Sequence, residues 1–307
     1  MMENINIKLP DKFYEEEDRC GYTVSSQMKK VWAVLLDLIV EFDRVCRKCG
    51  IQYMASGGTM LGAVRHNGFI PWDDDVDLMM RREDYEKLCQ VAEKEFNSPY
   101  FFQTYKTDRC YTRAFAKLVN IKTTAIQENK RSCGYKHKQG IYIDIFPLDN
   151  VCPNKFGEML QEKKCSFYAS QAVYSVYLSK GYKMSKETLR YKLEKTLYFI
   201  SQSLGLKFFN VDENMRKLEE CCKKYNHRET KYSSKLSFQP KNKKQWIESS
   251  YLSNLKYVDF EMIQMPIPPN YDIYLRQRYG NYMLPQNTGG YHGHMFFDTE
   301  KPYTEYI

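Results

Sequence analysis

Apolar residues are grouped along this chain at spacings that switch between helix and strand. The window Val31–Val40, ten residues with Asp37 inside it, is the buried face of an amphipathic helix predicted from Ser25 to Cys49 and stopped by Gly50. A short strand follows at Ile51–Ala55. Ser56-Gly57-Gly58 then make a turn, Thr59–His66 a brief helix, and Asn67-Gly68 and Pro71 break it before a strand at Val76–Met80. Tyr85, Leu88, Val91 and Ala92 share one side of a helix over Arg81–Phe96, which Asn97-Ser98-Pro99 ends. Strands are predicted at Tyr100–Tyr105, Arg113–Val119, Thr123–Gln127 and Gly140–Phe146.

From Lys155 to about Lys231 the pattern is helical, broken at Gly181 and Gly205, and Pro240–Trp246 reads as loop. Val258–Phe260 and Met265–Pro268 are short extended pieces, Tyr271–Tyr279 is a helix ended by Gly280, and the tail is irregular. The class expected is α/β (α+β), a mixed sheet flanked by helices. Residues 1–150 would form an N-terminal helix and catalytic core, 151–250 a basic, mostly helical insertion, and 251–307 a C-terminal segment returning to the active site.

Composition narrows the picture. At 307 residues there is ample core for one large domain or two smaller ones. The ten cysteines are scattered and the first residues lack an export signal, so reduced thiols in a cytoplasmic protein are expected; Cys46-x-x-Cys49 has no second pair for zinc. No apolar run approaches a membrane span. The net charge of +8 is uneven: residues 151–250 hold 20 Lys or Arg against 10 Asp or Glu. That surplus attracts anionic lipid or glycan, though a solvated lysine-rich face gives the same count. Lys241-Asn-Lys-Lys244 is too short to argue for nucleic acid.

The chemistry is concentrated where Gly57-Gly58-Thr59 precedes Pro71-Trp72-Asp73-Asp74-Asp75-Val76-Asp77-Leu78. In an extended segment Asp73, Asp75 and Asp77 point one way and Val76 and Leu78 the other. Like charges on one face near a core call for a cation, and a divalent metal is the obvious one. An EF-hand loop is disfavoured by Leu78 where a glycine is required. Asp144 alternates with Ile143 and Ile145, so it shares a face with Tyr142 and Phe146 and is costly there unless bound. Gly57 and Gly58 allow backbone amides to approach a phosphate, and Arg65 and Lys117 are the candidate cations. His66, and His292 and His294 near Tyr291, are weaker candidates.

The run from Tyr53 to Tyr85, with Ala116-Lys117-Leu118, Gly140–Asp149 and Tyr271–Met283, resembles the LicD family, phosphotransferases of nucleotidyltransferase fold related to the fukutin proteins. The resemblance implies a metal triad of Asp75, Asp77 and Asp144 holding Mg²⁺ or Mn²⁺. It also implies substrate contacts at Gly57, Gly58, Thr59, Arg65, His66, Trp72 and Lys117. Asp144 is either a ligand or the base that takes the hydroxyl proton. The donor implied is CDP-choline or another CDP-alcohol, with Trp72 and nearby tyrosines as a cage for trimethylammonium. The acceptor implied is a glycan precursor of teichoic acid or lipopolysaccharide, lipid-linked in some cases, met at the inner membrane face. Transfer of the nucleotide itself, or non-catalytic glycan binding, are the alternatives.

Overall fold

The Ser25 hydroxyl accepts the Met28 amide at 3.2 Å and opens α1 (Ser26–Cys49); Gly50, at φ +59°, closes it. In the computed structural model, residues 4–108, 111–127, 137–180, 196–201, 203–204, 210–285 and 295–306 are described. The strands in chain order are β1 (Glu17–Arg19), β2 (Tyr22–Val24), β3 (Met54–Ala55), β4 (Asp77–Arg81), β5 (Tyr100–Gln103), β6 (Ala116–Asn120) and β7 (Thr124–Gln127). They continue with β8 (Ile141–Asn150), β9 (Tyr232–Ser234), β10 (Ile247–Glu248), β11 (Lys256–Phe260), β12 (Ile263–Ile267) and β13 (Met295–Asp298). The further helices are α2 (Gly57–His66), α3 (Arg82–Glu95), α4 (Lys155–Lys180), α5 (Val211–Lys223) and α6 (Tyr271–Tyr279).

A mixed seven-stranded sheet is built around β8. One side of β8 pairs in parallel with β4, and β3 lies antiparallel beyond it. On the other side its first half pairs with β6, which carries β5, and its end pairs with β9, which carries β10. The strand was expected to stop at Phe146, yet it runs through Pro147. The Asp144 amide donates to the Val76 carbonyl at 2.8 Å, so by alternation the Pro147 nitrogen faces the opposite side. There it meets the gap between the last β6 partner, Ile145, and the first β9 partner, Asp149, and no ladder bond is forfeited.

Other differences have equally local causes. Ile51–Tyr53 approach the sheet without joining it, so β3 is two residues long. β5 ends at Gln103 because the Thr107 and Asp108 amides turn back to the Thr104 carbonyl. The tail is not irregular throughout: β13 pairs with β7 from Met295↔Gln127 to Asp298↔Thr124. The 151–250 stretch also supplies β9 and β10. The breaks expected at Gly181 and Gly205 lie outside the described residues.

Two packing arrangements bear on function. The inner face of α1 covers β6 and β8, with Trp32 wholly buried and stacked on Phe69 at 4.7 Å. The Trp32 indole donates to the Asp73 carbonyl at 3.0 Å, so the core helix also pins the acidic loop. At the far end of β8, Arg82 grips buried Asp149 with two bonds of 2.8 and 2.6 Å. Asn226 adds a bond to Asp149, and Glu219 of α5 lies 3.4 Å from Arg82. α5 and α4 share a small core of Cys165, Ala172, Met215, Leu218 and Cys222. The eight described cysteines are free thiols.

Arg82→Met leaves Asp149 charged and buried, and is expected to cost about 3–5 kcal/mol in urea unfolding. Arg216→Ala, on an exposed face beside Glu213 and Glu220, is expected to shift the urea midpoint far less. Equal costs for the two would contradict this assignment.

Candidate active site

The register of three neighbouring strands sets the site. Asp77 of β4 stands opposite Asp144 of β8, and Asp144 stands opposite Lys117 of β6. Directly paired residues share one face of a sheet, so the two carboxylates and the amine form a row at strand spacing. This row forms part of the wall of a cavity of about 940 Å³. Such a volume is within the range of small-molecule sites, roughly 300–1,000 Å³.

Local sequence fixes each member. The Asp77 amide donates to the Thr59 hydroxyl at 2.8 Å, and the Ser56 amide donates to the Asp77 carbonyl at 2.9 Å, so the start of α2 is tied to the start of β4. Gly57 has φ +55°, and a Cβ there would lie 3.1 Å from Asp77 Oδ2. A Cβ on Gly58 would lie only 2.7 Å from Asp73 Oδ2. Glycine at both positions lets the end of a helix touch carboxylates. The first amides of that helix have no partner within it and favour an anion.

The aspartates before β4 do not alternate as a strand would have them. The Asp73 amide closes a turn onto the Ile70 carbonyl, so Asp73, Asp74 and Asp75 curl together instead. Their carboxylate oxygens lie within 4.8 Å of one another, the only such group of three metal-ligating side chains among the described residues. Burial, followed by repulsion from Asp73 and Asp77, pushes the Asp75 carboxyl well above the usual range.

Asp144 is also raised, by burial first and by Asp77, with Lys117 acting against the shift. Burial lowers Lys117, with Asp144 opposing it. The Lys117 ammonium lies 3.5 Å from Asp144 Oδ1 and 3.1 Å from the centre of the Tyr142 ring. The contact to Asp144 is an ion pair without hydrogen-bond alignment: buried Asp144 Oδ1 has no hydrogen-bond partner. An orphaned carboxylate oxygen beside an all-carboxylate donor set fits a hard divalent cation.

Of the residues singled out in the sequence, Asp75, Asp77, Asp144, Gly58, Arg65, Trp72 and Lys117 line this cavity. Gly57 and Thr59 stand behind Asp77, as described. His66 is not on the wall: it accepts from Arg65 Nε at 2.8 Å, while Arg65 Nη1 donates to the Tyr282 carbonyl at 2.7 Å. Burial and the neighbouring Arg65 hold His66 down at about 4, so it stays neutral and props the arginine. Trp72 packs edge-on against Tyr22 at 5.9 Å. Tyr291, His292 and His294 lie outside the described residues.

Two cations were missed. Lys235, 1% exposed, reaches Ser56 Oγ at 3.0 Å and Asp77 Oδ2 at 3.7 Å, over Phe146 at 4.2 Å. Burial pulls it down to about 8 despite Asp77. It sits just past β9, in a stretch with no recognisable motif. Arg278 of α6 lies against Gly57, its Nη2 3.4 Å from where a Cβ would be, and it lay inside the Tyr271–Met283 motif.

A mixed sheet that holds carboxylates of two parallel strands in register on a cavity wall has the arrangement that an α/β group-transfer enzyme requires. Residues 50–176 match the family model described as LicD/FKTN/FKRP, nucleotidyltransferase domain. Lipopolysaccharide cholinephosphotransferase LicD of Haemophilus influenzae is 28% identical over 258 residues, covering 81% of this chain and 89% of that protein. Ribitol 5-phosphate transferase FKRP of Homo sapiens is 43% identical over 54 residues, 18% of this chain and 11% of that protein. Uncharacterized protein RP689 of Rickettsia prowazekii is 42% identical over 99 residues, 31% of this chain and 35% of that protein. Residues 50–176 thus carry a LicD-type nucleotidyltransferase domain, and most of the chain is similar to a LicD transferase.

The His66 shift has a signed consequence. Its folded value of about 4 lies below the unfolded 6.5, so the unfolded chain binds the extra proton and stability falls as pH drops from 6.5 through 4. Urea midpoints measured across that window should fall less steeply in His66→Gln than in the wild type. Identical slopes would mean that His66 is not buried as a neutral ring.

Proposed function

We propose that this chain transfers phosphocholine from CDP-choline to a hydroxyl of a cell-surface glycan precursor and releases CMP. The observation that carries the reading is the Asp77–Asp144–Lys117 row on a cavity large enough for a nucleoside diphosphate and part of a sugar. Choline is preferred over ribitol because the likeness to the cholinephosphotransferase extends over 81% of the chain and that to the ribitol phosphate transferase over 18%. Lipopolysaccharide is the acceptor in the name of the first relative; a teichoic acid precursor offers the same hydroxyl chemistry.

Asp75, Asp77 and Asp144 would hold magnesium or manganese, which when bound neutralises diphosphate oxygens. The chain's own groups do the rest. The start of α2 faces its amides to the phosphates, and Lys117 and Lys235 offset the charge of Asp144 and Asp77 before any ligand arrives. The acceptor oxygen forms a bond to the outer phosphorus as the bridging oxygen leaves in line with CMP, taking the bond's electron pair. The hydroxyl proton is lost in the same step. Asp144 Oδ1 carries the unbonded lone pair that serves either the ion or that proton.

No described helix is long and apolar enough to cross a membrane. A lipid-linked acceptor would be met at the membrane surface, with the basic 151–250 stretch as the candidate contact for anionic headgroups.

Incubation with a panel of CDP-alcohols, magnesium and glycan acceptors should release CMP fastest with CDP-choline. Asp77→Asn and Asp144→Asn should each lower that rate by about 10²–10³-fold or more. Mass analysis of the product decides the transferred group: an acceptor that has gained CMP would establish nucleotidyl transfer and overturn this reading.

A further inference from the structure

The cations around the cavity are not equivalent. Arg65 is held by the Tyr282 carbonyl and by His66. Lys117 faces Asp144, and Lys235 is shared between Ser56 and Asp77. Arg278 differs from all three. Its Nη1 is buried without a hydrogen-bond partner, and no described carboxylate lies within 4.0 Å of the guanidinium. The groups that act on it most are the Tyr274 and Tyr279 hydroxyls, followed by Asp77, and it lies 5.2 Å from the centre of the Tyr279 ring.

A guanidinium taken out of water without a counterion is costly, and a planar fork of donors is best matched by phosphate or carboxylate. Arg278 is one of the residues lining the cavity. Its Nη2 lies 3.4 Å from where a Cβ of Gly57 would be, a point that Asp77 Oδ2 approaches to 3.1 Å, beside the start of α2. Four carboxylates line that cavity, and of these Asp77 acts on the guanidinium only from beyond ion-pair distance. The arrangement suits an anion that shares its oxygens between the acid cluster's cation and this arginine.

We infer that Arg278 binds the diphosphate of the donor, contacting phosphate oxygens from the Gly57 side of the cavity, and is a catalytic residue that the C-terminal segment supplies. The inference rests on the group-transfer reading above and names its phosphate contact. α6 places the side chain: Gly280, at φ +67°, ends the helix one turn after Tyr274 and Leu275 are buried, so Arg278 is held at the helix end rather than on a free loop. The Tyr279 ring, 5.2 Å from the guanidinium, limits its freedom further, which lowers the entropy lost on binding.

The test uses the full chain with magnesium and inorganic pyrophosphate as the probe, followed by calorimetry. Wild type should bind pyrophosphate, Arg278→Gln should bind it about 10- to 100-fold more weakly, and Arg278→Lys about 3- to 10-fold more weakly. Mn²⁺ affinity measured by paramagnetic resonance should stay within about twofold of wild type in both variants, a result that a general loss of site structure would not give. Should Arg278→Gln fail to fold, Arg278→Lys decides alone. Pyrophosphate affinity unchanged by either substitution, or no pyrophosphate binding by wild type, overturns the inference. Arginine-dependent pyrophosphate binding with no CMP release from any CDP-alcohol would leave this contact standing and sink the proposed function instead. CMP release that is equally fast in wild type and Arg278→Gln would do the reverse.

Discussion

The parallel pairing of β4 with β8 puts Asp77 directly beside Asp144, and the surrounding site follows from having to hold those two charges together. Two carboxylates at strand spacing in a half-buried wall repel each other and lose hydration, so each is unfavourable there by itself. The fold answers with cations delivered from elements far apart in the chain: Lys117 from the next strand and Lys235 from just past β9. The local backbone is tied down as well, through Thr59 to the Asp77 amide and Trp32 to the Asp73 carbonyl. The loop gathers the carboxylates of Asp73, Asp74 and Asp75 within 4.8 Å, and Asp144 Oδ1 has an ion-pair contact with Lys117 but no hydrogen bond. Stability alone gives no reason to gather these carboxylates; a hard cation is the ligand their oxygens would suit.

The same constraint explains why three parts of the chain converge. The first 150 residues build the sheet row, the next hundred contribute Lys235 and two valines of α4 on the cavity wall, and the C-terminal region adds Arg278 and the Tyr282 carbonyl. The buried Arg82–Asp149 pair and its Asn226 bond fasten the helical stretch to the end of β8. β13 closes the other side by pairing with β7. Each region thus reaches the site through a specific polar or strand contact, besides apolar packing.

Much of this was legible in the sequence. α1 and α6 announced themselves by apolar spacing and a terminal glycine, and both match to within one residue. Asp144 was singled out for its apolar neighbours, Asp77 for its spacing from Asp75, and Lys117 as a candidate cation in a short motif. The register of β4, β8 and β6 sets the three side by side. The alternation rule failed for Asp73 and Asp75, since it assumes a strand and the backbone turns at Ile70–Asp73 first. β8 was cut short at Pro147 because the gap between β6 and β9 is a tertiary fact, invisible locally. Lys235 could not be found for the same reason: one lysine in a lysine-rich stretch carries no mark until Ser56 and Asp77 fold against it. Arg278 lay within a recognisable motif, but nothing in the sequence told which of its arginines turned inward.

The central claim is that the acids of β4, its preceding loop and β8 form one cation site. It is tested most directly by crystals grown with Mn²⁺ and an anomalous difference map collected at the manganese edge. The account predicts a peak in contact with carboxylate oxygens of Asp75, Asp77 and Asp144. A peak held only by Asp73 and Asp74, or a map with no peak in the cavity at saturating manganese, would contradict it.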